Sequence, residues 1–368
     1  MDNTSAESAG MAGSGWRGRA GPVFAGNLAF EDVSFAVRGR NILRGVSLKL
    51  EAGQIACLLG PSGCGKTTLL KLAAGVLRPG LGRILLDGQE VAGPHQFVPP
   101  EKRSIGLMFQ DFALFPHMTA LENVSFGLTA LDRREARRVA ELALDRVGLR
   151  ALAGSYPAML SGGEQQRVAL ARTIVPRPQV ILMDEAFSSL DQRLREVIRQ
   201  DTLSILKETR ATALLVTHDP QEAAEFGDTV FLMREGRIVQ SGTPEALQRH
   251  PADADVARFL RAYNEFSGIV VNGSVETPLG LLSAGPHRNG TQVLVMIPPE
   301  DIRLGAAGDK ILAQVTDRRQ AGPLTLIRLQ LTDGSTVAVL ARNATDSPQK
   351  GQFCSLALDA RNTHIFAA

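Results

Sequence analysis

GPSGCGKT, running from Gly60 to Thr67, repeats the pattern G-x-x-x-x-G-K-[ST]. Glycines at 60, 63 and 65 let the backbone curl tightly enough for successive N–H groups to converge on phosphate oxygens. Lys66 then reaches the β- and γ-phosphates, and the Thr67 hydroxyl is a ligand for Mg²⁺. The flanks agree with that chemistry. Gln54–Leu59 is a short apolar run of strand character ahead of the loop. Behind it Leu69, Leu70, Ala73, Val76 and Leu77 recur at helical spacing, with Pro79-Gly80 as the expected stop. A glycine-rich turn matching by accident would rarely sit between such a strand and such a helix. Pro61, Ser62, Cys64 and Thr68 complete the set expected to line a bound nucleotide. Cys64 stands at a helix start, where a lowered thiol pKa is expected, although its small size suits space-filling better than chemistry.

Two more stretches extend the phosphate chemistry. Val180-Ile-Leu-Met-Asp184-Glu185 is an apolar strand ending in two carboxylates. Asp184 is placed to hold the Mg²⁺ shell and Glu185 to polarise a water for in-line attack on phosphorus. An apolar run ending in acids is weak evidence alone and strong downstream of a phosphate loop. Leu160-Ser161-Gly162-Gly163-Glu164-Gln165-Gln166-Arg167 reads first as a helix start, with Ser161 and Glu164 forming a capping box. That leaves the two consecutive glycines unexplained. They weaken a helix start but let a phosphate approach its free N–H groups and the positive end of the dipole. A second anion site is redundant for one nucleotide in one chain, so two chains are expected to complete each other's sites.

Outward from these motifs, Leu28–Val37 and Val46–Leu50 look like strands around a turn at Arg38-Gly39-Arg40-Asn41, and Val180–Met183 and Leu214–Thr217 like the strands of a parallel sheet covered on both faces. Residues 1–27, rich in Gly, Ala and Ser, read as a disordered tail or as sequence upstream of an alternative start at Met11. A helical connector is expected over 244–267. Beyond it the texture alternates: Ile327, Leu329 and Leu331 share one face, Asp333-Gly334 marks a hairpin, and Gln292–Ile297, Val337–Leu340 and Phe353–Leu358 read alike. Residues 268–368 are therefore expected to form a separate all-β barrel or sandwich.

The 368 residues suit two domains at about 150 residues each. With 44% apolar and 21% charged residues a sizeable core is expected. Forty Lys and Arg against 38 Asp and Glu, a formal +2, argue against a generic nucleic-acid or anionic-membrane binder. The three cysteines form no metal spacing and no disulfide framework, which suits a reducing cytosol. No run is long enough to span a bilayer, and the N-terminus shows no signal pattern.

The phosphate loop, LSGGEQQR and the Asp184-Glu185 strand, in this order, resemble an ATP-binding cassette (ABC) ATPase over about residues 28–265. Phe109-Gln110, Ser188-Ser189-Leu190-Asp191 and Thr217-His218-Asp219 match further motifs of that family. The resemblance implies an α/β P-loop NTPase domain over 28–243 with a helical subdomain, two ATP and Mg²⁺ per homodimer, and contact of Ser161, Gly162, Gly163, Gln165 and Asp191 with the partner's site. Gln110 would ligate Mg²⁺ or orient water, and His218 would touch the γ-phosphate. The family's adenine-stacking aromatic falls here on Val37. Phe35, two residues earlier on the same strand face, is one substitute; the other is contact with Val37 and an arginine alone.

Four of the 15 phenylalanines, Phe109, Phe112, Phe115 and Phe126, fall within 18 residues, with Leu114, Pro116 and Met118 between them. Such a segment is either core or a partner surface, and its place beside Gln110 resembles the groove that receives a membrane permease helix. Gly242-Thr-Pro-Glu, Val256-Ala-Arg-Phe-Leu and Pro299-Glu-Asp-Ile-Arg303 resemble importer ATPases carrying a small OB-like (TOBE) regulatory barrel. Gly93-Pro94 through Arg103, leading into Phe109–Met118, is most similar to the ferric-iron branch, with polyamine importers next and thiamine, sulfate or sugar uptake as further alternatives. The implied setting is the cytoplasmic face of the inner membrane, with transmembrane permease subunits as partners, a periplasmic solute-binding protein acting indirectly, and no nucleic acid. A soluble ABC ATPase acting on ribosomes or nucleic acid is the alternative of another class; a single cassette without a heptad run or basic patch disfavours it.

Overall fold

The computed structural model describes residues 25–188, 192–305, 311–342 and 348–368, excluding the side chains of 192–194 and 321. The chain divides into two units after Pro244. The first runs β1 (Leu28–Val37), β2 (Arg40–Leu50), β3 (Ile55–Leu59), α1 (Lys66–Ala73), β4 (Leu81–Leu86), β5 (Gln89–Ala92), β6 (Ile105–Met108), α2 (Ala120–Ser125), α3 (Arg133–Arg146), α4 (Gly162–Ile174), β7 (Val180–Asp184), α5 (Gln192–Thr209), β8 (Thr212–Thr217), α6 (Pro220–Phe226), β9 (Thr229–Arg234) and β10 (Arg237–Gly242).

Two sheets and a helical layer build this unit. One sheet has the order β10-β9-β3-β8-β7-β6. Its β3 runs parallel to β8 and β9, and β7 parallel to β6 and β8, with only β10 antiparallel. Strands β3, β7 and β8 are buried at every residue, as a sheet covered on both faces requires. The other sheet, β2-β1-β4-β5, is antiparallel. Leu69, Leu70 and Leu72 of α1 share one core with Leu28, Phe30, Val46 and Ile84 of the antiparallel sheet and with Leu58, Leu182 and Leu214 of the parallel one. Helices α2, α3 and α4 bury a separate core around Ala120, Val124, Ala140, Leu144 and Val168.

Local chemistry moved two expected boundaries. The β1–β2 turn is only Arg38-Gly39, at φ 49° and 81°, with Val37 paired to Arg40. Two left-handed residues match the twist of a tight hairpin, so β2 starts earlier than expected. Helix α1 stops at Ala73, not at Pro79. Gly75 at φ 81° donates to the Leu72 carbonyl and Val76 to the Lys71 carbonyl at 2.9 Å, the double closure of a glycine C-terminal motif. Val76 is consequently 51% exposed rather than packed. Buried Arg103 finishes the cap: it donates to the carbonyls of Leu72, Ala73, Val91 and Val98 at 2.6–2.9 Å, and burial pulls its pKa down to about 10.

The division falls at the first residue of α7 (Pro244–Arg249), which with α8 (Ala254–Leu260) gives two short helices where one connector was expected. The strands of the second unit are β11 (Asn264–Val271), β12 (Ser274–Thr277), β13 (Gly280–Ser283), β14 (Gln292–Ile297), β15 (Ile302–Leu304), β16 (Ile311–Ala321), β17 (Leu324–Leu331), β18 (Thr336–Arg342), β19 (Phe353–Leu358) and β20 (His364–Ala367). The expected boundary at 268 falls inside β11. Two five-stranded sheets, β13-β12-β11-β14-β20 and β15-β19-β16-β17-β18, close on one core. Val270, Val293 and Val295 meet Val315, Ile327 and Leu329 there. In β17 the expected alternation holds, with Ile327, Leu329 and Leu331 buried and Arg328 and Gln330 exposed. Among the described residues no helix is long and apolar enough to cross a membrane.

Because Arg103 satisfies four carbonyls from three segments, Arg103→Met is expected to destabilise the first unit by about 3 kcal/mol. Urea denaturation followed by circular dichroism checks this; an unchanged midpoint would contradict it.

Candidate active site

The loop from Gly60 to Gly65 leaves β3 and enters α1 through a space that admits no side chain at two points. A Cβ on Gly60 would lie 2.2 Å from the Met233 carbonyl of β9. Gly65 sits at φ 114°, and its Cβ would lie 2.8 Å from Leu43 of β2. The wedged loop exposes Pro61, Ser62 and Gly63 and buries Lys66, which is 4% exposed. The Lys66 ammonium donates to the carbonyls of Gly60 at 2.8 Å and Pro61 at 3.0 Å, so it sits curled under the loop. Thr67 and Thr68 are half-buried at the first turn of α1. Cys64 contradicts its expected low pKa. Burial pushes its thiol up despite the nearby Lys66 charge, and the side chain fills space beneath Gly60.

Register carries the other groups to the same edge. Leu59 pairs with Thr217, Asp184 with Val216, and Met108 with Met183. The phosphate loop, Asp184-Glu185, His218 and Gln110 thus all follow the C-terminal ends of neighbouring parallel strands, where α/β sheets bind ligands. Thr67 donates its hydroxyl to Asp184 at 3.0 Å. Burial raises the Asp184 carboxyl pKa, with Thr67 pulling the other way. Glu185 has φ 44°, an uncommon left-handed conformation for a non-glycine residue. Its N–H donates to the Val216 carbonyl at 3.0 Å, and the Ser188 hydroxyl donates to its carbonyl at 2.9 Å. That turn aims the carboxylate at His218, whose Nδ1 lies 3.4 Å from Glu185 Oε1. Gln110 is exposed on the loop after β6.

The serine-glycine motif lies in the helical layer. Ser161 caps α4, exchanging hydrogen bonds with Glu164 in the expected box, and these bonds lower the Glu164 pKa. Gly162 is exposed and Gly163 buried. The Gln165 amide donates to the Pro157 and Leu160 carbonyls at 3.0 and 3.1 Å, so it holds the loop before α4. The fold therefore gathers Lys66, Thr67, Asp184, Glu185 and His218 at one edge and keeps Ser161, Gly162, Gly163 and Gln165 in another layer. Asp191, with Ser189 and Leu190, lies outside the described residues.

Strand β1 breaks the expected equivalence of Phe35 and Val37. Register shifts on both sides of Phe35 interrupt its alternation. Phe35 packs against the core, while Val37 is 46% exposed. The phenylalanine cluster divides as well. Phe112 is core at 6% exposure and Phe126 is 53% exposed, with Phe109 and Phe115 between. Phe109, Phe115 and Phe126 line a groove of about 640 Å³ together with Leu107, Pro176 and Pro178. Phe112 and Ala113 adopt φ 60° and 43°. Arg172 of α4 holds that turn by donating to both their carbonyls at 2.8 Å. Buried Asn123 pins the following loop through Phe115, Met118 and Thr119.

Sequence reasoning missed Arg103, Asn123, Arg172 and Arg199, because their partners are distant in the chain. For Arg199 a cue existed: Ile198, Arg199, Thr202 and Leu206 recur at the spacing of a buried helix face, and a charge there requires a partner.

A family profile described as "ABC transporter" matches residues 43–188, and one described as "TOBE domain" matches residues 295–366. The chain is 37% identical over 343 residues to the Fe(3+) ions import ATP-binding protein FbpC of Mesorhizobium japonicum, spanning 88% of this chain and 95% of that protein. It is 41% identical over 295 residues to the sulfate/thiosulfate import ATP-binding protein CysA 2 of Chromobacterium violaceum, spanning 77% and 78%. Among solved structures, cbiO1 of Clostridium perfringens, part of the ABC transporter complex cbiONQ, superposes with a TM-score of 0.55 at 32% identity over 60% of this chain and 89% of its own. An ATP-binding cassette solved as a dimer with ADP and Pi superposes at 0.53 with 30% identity, over 59% and 98%.

Burial raises the pKa of all three thiols, but Cys57 and Cys64 are buried while Cys354 is only half-buried. Iodoacetamide at neutral pH is therefore expected to modify Cys354 first and to spare Cys57 and Cys64 in the folded protein. Peptide mass spectrometry reads the order, and early labelling of Cys64 would restore the reactive-thiol reading.

Proposed function

The chain belongs to the family of ABC transporter ATP-binding subunits, and on that premise we propose that it powers an importer as a homodimer, with ferric iron as the solute. The convergence of Lys66, Thr67, Asp184, Glu185 and His218 on one sheet edge carries this reading. Thr67 and Asp184 offer hard oxygens 3.0 Å apart, the donor type Mg²⁺ takes when substrate phosphates supply the remaining ligands. Held by Thr67 and Asp184, with Gln110 as a further oxygen donor, the ion would neutralise charge on the phosphates. Lys66 swings from the loop carbonyls toward the β- and γ-phosphates. Glu185 accepts the proton of the attacking water, and His218 holds the γ-phosphate and the Glu185 carboxylate in register. Ser161 and the N–H groups of Gly162 and Gly163 contact the phosphate in the partner copy, with Asp191 and Gln165 at the same interface. Val37, with neighbouring Arg38 and Arg40, is the contact favoured for adenine, because half-buried Phe35 is turned to pack against the core.

The groove of Phe109, Phe115 and Phe126 is the surface proposed for a permease helix, which sets the protein on the cytoplasmic face of the inner membrane. A periplasmic solute-binding protein would act only through that permease. The sulfate/thiosulfate relative, at 41% identity, makes sulfate the second solute to test.

Glu185→Gln is expected to bind ATP normally, lose at least 100-fold in turnover, and elute as a dimer with ATP on size exclusion. Turnover near the parent's would remove Glu185 as the base. Phe126→Ser should retain ATPase activity in the isolated subunit and impair uptake of labelled ferric iron in cells, with labelled sulfate as the control. Parent-level iron uptake by that variant would remove the groove assignment, and sulfate-only uptake by the parent would overturn the iron reading.

A further inference from the structure

Arg199 of α5 is buried among three carboxylates of one short helix. Its Nε and Nη2 donate to Glu222 Oε1 at 3.2 and 3.1 Å, Nη2 also donates to Asp219 Oδ2 at 3.1 Å, and Nη1 lies 3.5 Å from Glu225 Oε2. The buried Arg199–Glu222 pair at the centre of this cluster is a poor choice for stability alone, because desolvating buried charges offsets most of their attraction. Its placement suggests another use. Asp219 caps α6 through its other oxygen, which accepts from the Gln221 N–H at 2.9 Å. The Asp219 N–H donates to the Thr217 hydroxyl at 3.0 Å, and Glu222 is hydrogen-bonded to Thr217 as well. Both chain neighbours of His218 are therefore tied into the Arg199 cluster. The imidazole between them is half-exposed and stands 3.4 Å from Glu185. A partly open pocket of about 90 Å³ is bordered by Glu185, His218, Asp219, Glu222, Arg195 and Arg199, so the reacting pair and the Arg199 cluster share one space.

We propose that Arg199 is a positioning residue for ATP hydrolysis: it locks the first turn of α6 and so fixes where His218 stands opposite Glu185. The planar guanidinium is suited to the task. It bridges Asp219 and Glu222 at once, whereas a lysine ammonium is a single point of charge on a flexible stem. Segments on both sides of the reacting pair thereby share one anchor, since α5 follows the Glu185 turn in the chain and α6 follows His218.

The inference rests on the reading of Glu185 and His218 as groups acting on ATP, and a double-mutant cycle on the full chain separates the two. Arg199→Lys keeps the charge and loses the bridge; Asp219→Asn keeps the helix cap and loses the ion pair. Each is expected to lower kcat about tenfold with KM for ATP changed by less than about twofold. In a His218→Ala background the same substitutions should add less than about twofold, because their effect runs through that ring. Parent-like kcat in both single variants, or losses that multiply in the His218→Ala background, would overturn the positioning role while leaving His218 in place. A His218→Ala protein with parent turnover would remove the His218 reading and this inference with it. Thermal melting of the single variants, expected to stay close to the parent, distinguishes repositioning from loss of folded protein.

Discussion

Everything at the active edge depends on backbone passing where no side chain fits. Between β3 and α1 the chain must clear the Met233 carbonyl on one side and Leu43 on the other. The neighbouring β9–β10 turn is held equally close: the Gly236 N–H donates to the Cys64 carbonyl at 3.1 Å, and a Cβ on Gly236 would lie 2.4 Å from the Ile42 carbonyl. Close packing on three sides fixes the loop's curvature. Lys66 lies under the loop, where the Gly60 and Pro61 carbonyls satisfy its buried ammonium.

The parallel sheet converts that single fixed loop into a site. Because β3, β8, β7 and β6 run in register, a short excursion after each strand end delivers a different functional group to the same edge. Hydrogen-bonding groups behind the edge, main-chain and side-chain, then restrict those excursions. Val216 holds the strained Glu185 backbone, Arg199 ties down the start of α6, and Arg172 secures the left-handed turn at Phe112-Ala113. Rigid strands set coarse positions and buried hydrogen bonds set fine ones, which is how sites of this type reach the precision that phosphoryl transfer needs.

On the proposed reading, a consequence of the layering is that no single copy would bring all the phosphate-binding groups together. Ser161 and its glycines open α4 in a hydrophobic cluster separate from that of the phosphate loop. The Ser161–Glu164 box satisfies the helix's first donors only in part, leaving an exposed Gly162 at the positive end of the dipole. In the proposed dimer this end meets the twin's nucleotide. Hydrolysis would then report on the presence of a second copy, and Arg172, which joins α4 to the loop after Gln110, places that report next to the groove assigned to the permease.

Much of this was legible in one dimension. The phosphate loop, the acid-terminated strand, the capping box and the alternating C-terminal strands are local patterns, each written within a dozen or so neighbours, and each reappears in three dimensions. Tertiary structure decided the rest, for reasons of distance and burial. Helix α1 ends where a glycine and a remote arginine satisfy its carbonyls, not where the next proline stands. A bulge separates Phe35 from Val37, and desolvation outweighs the helix-start effect at Cys64. Arg103, Arg172 and Arg199 acquire meaning only when chain segments far apart in sequence meet, because a buried guanidinium is defined by the carbonyls and carboxylates around it, and those are placed by packing.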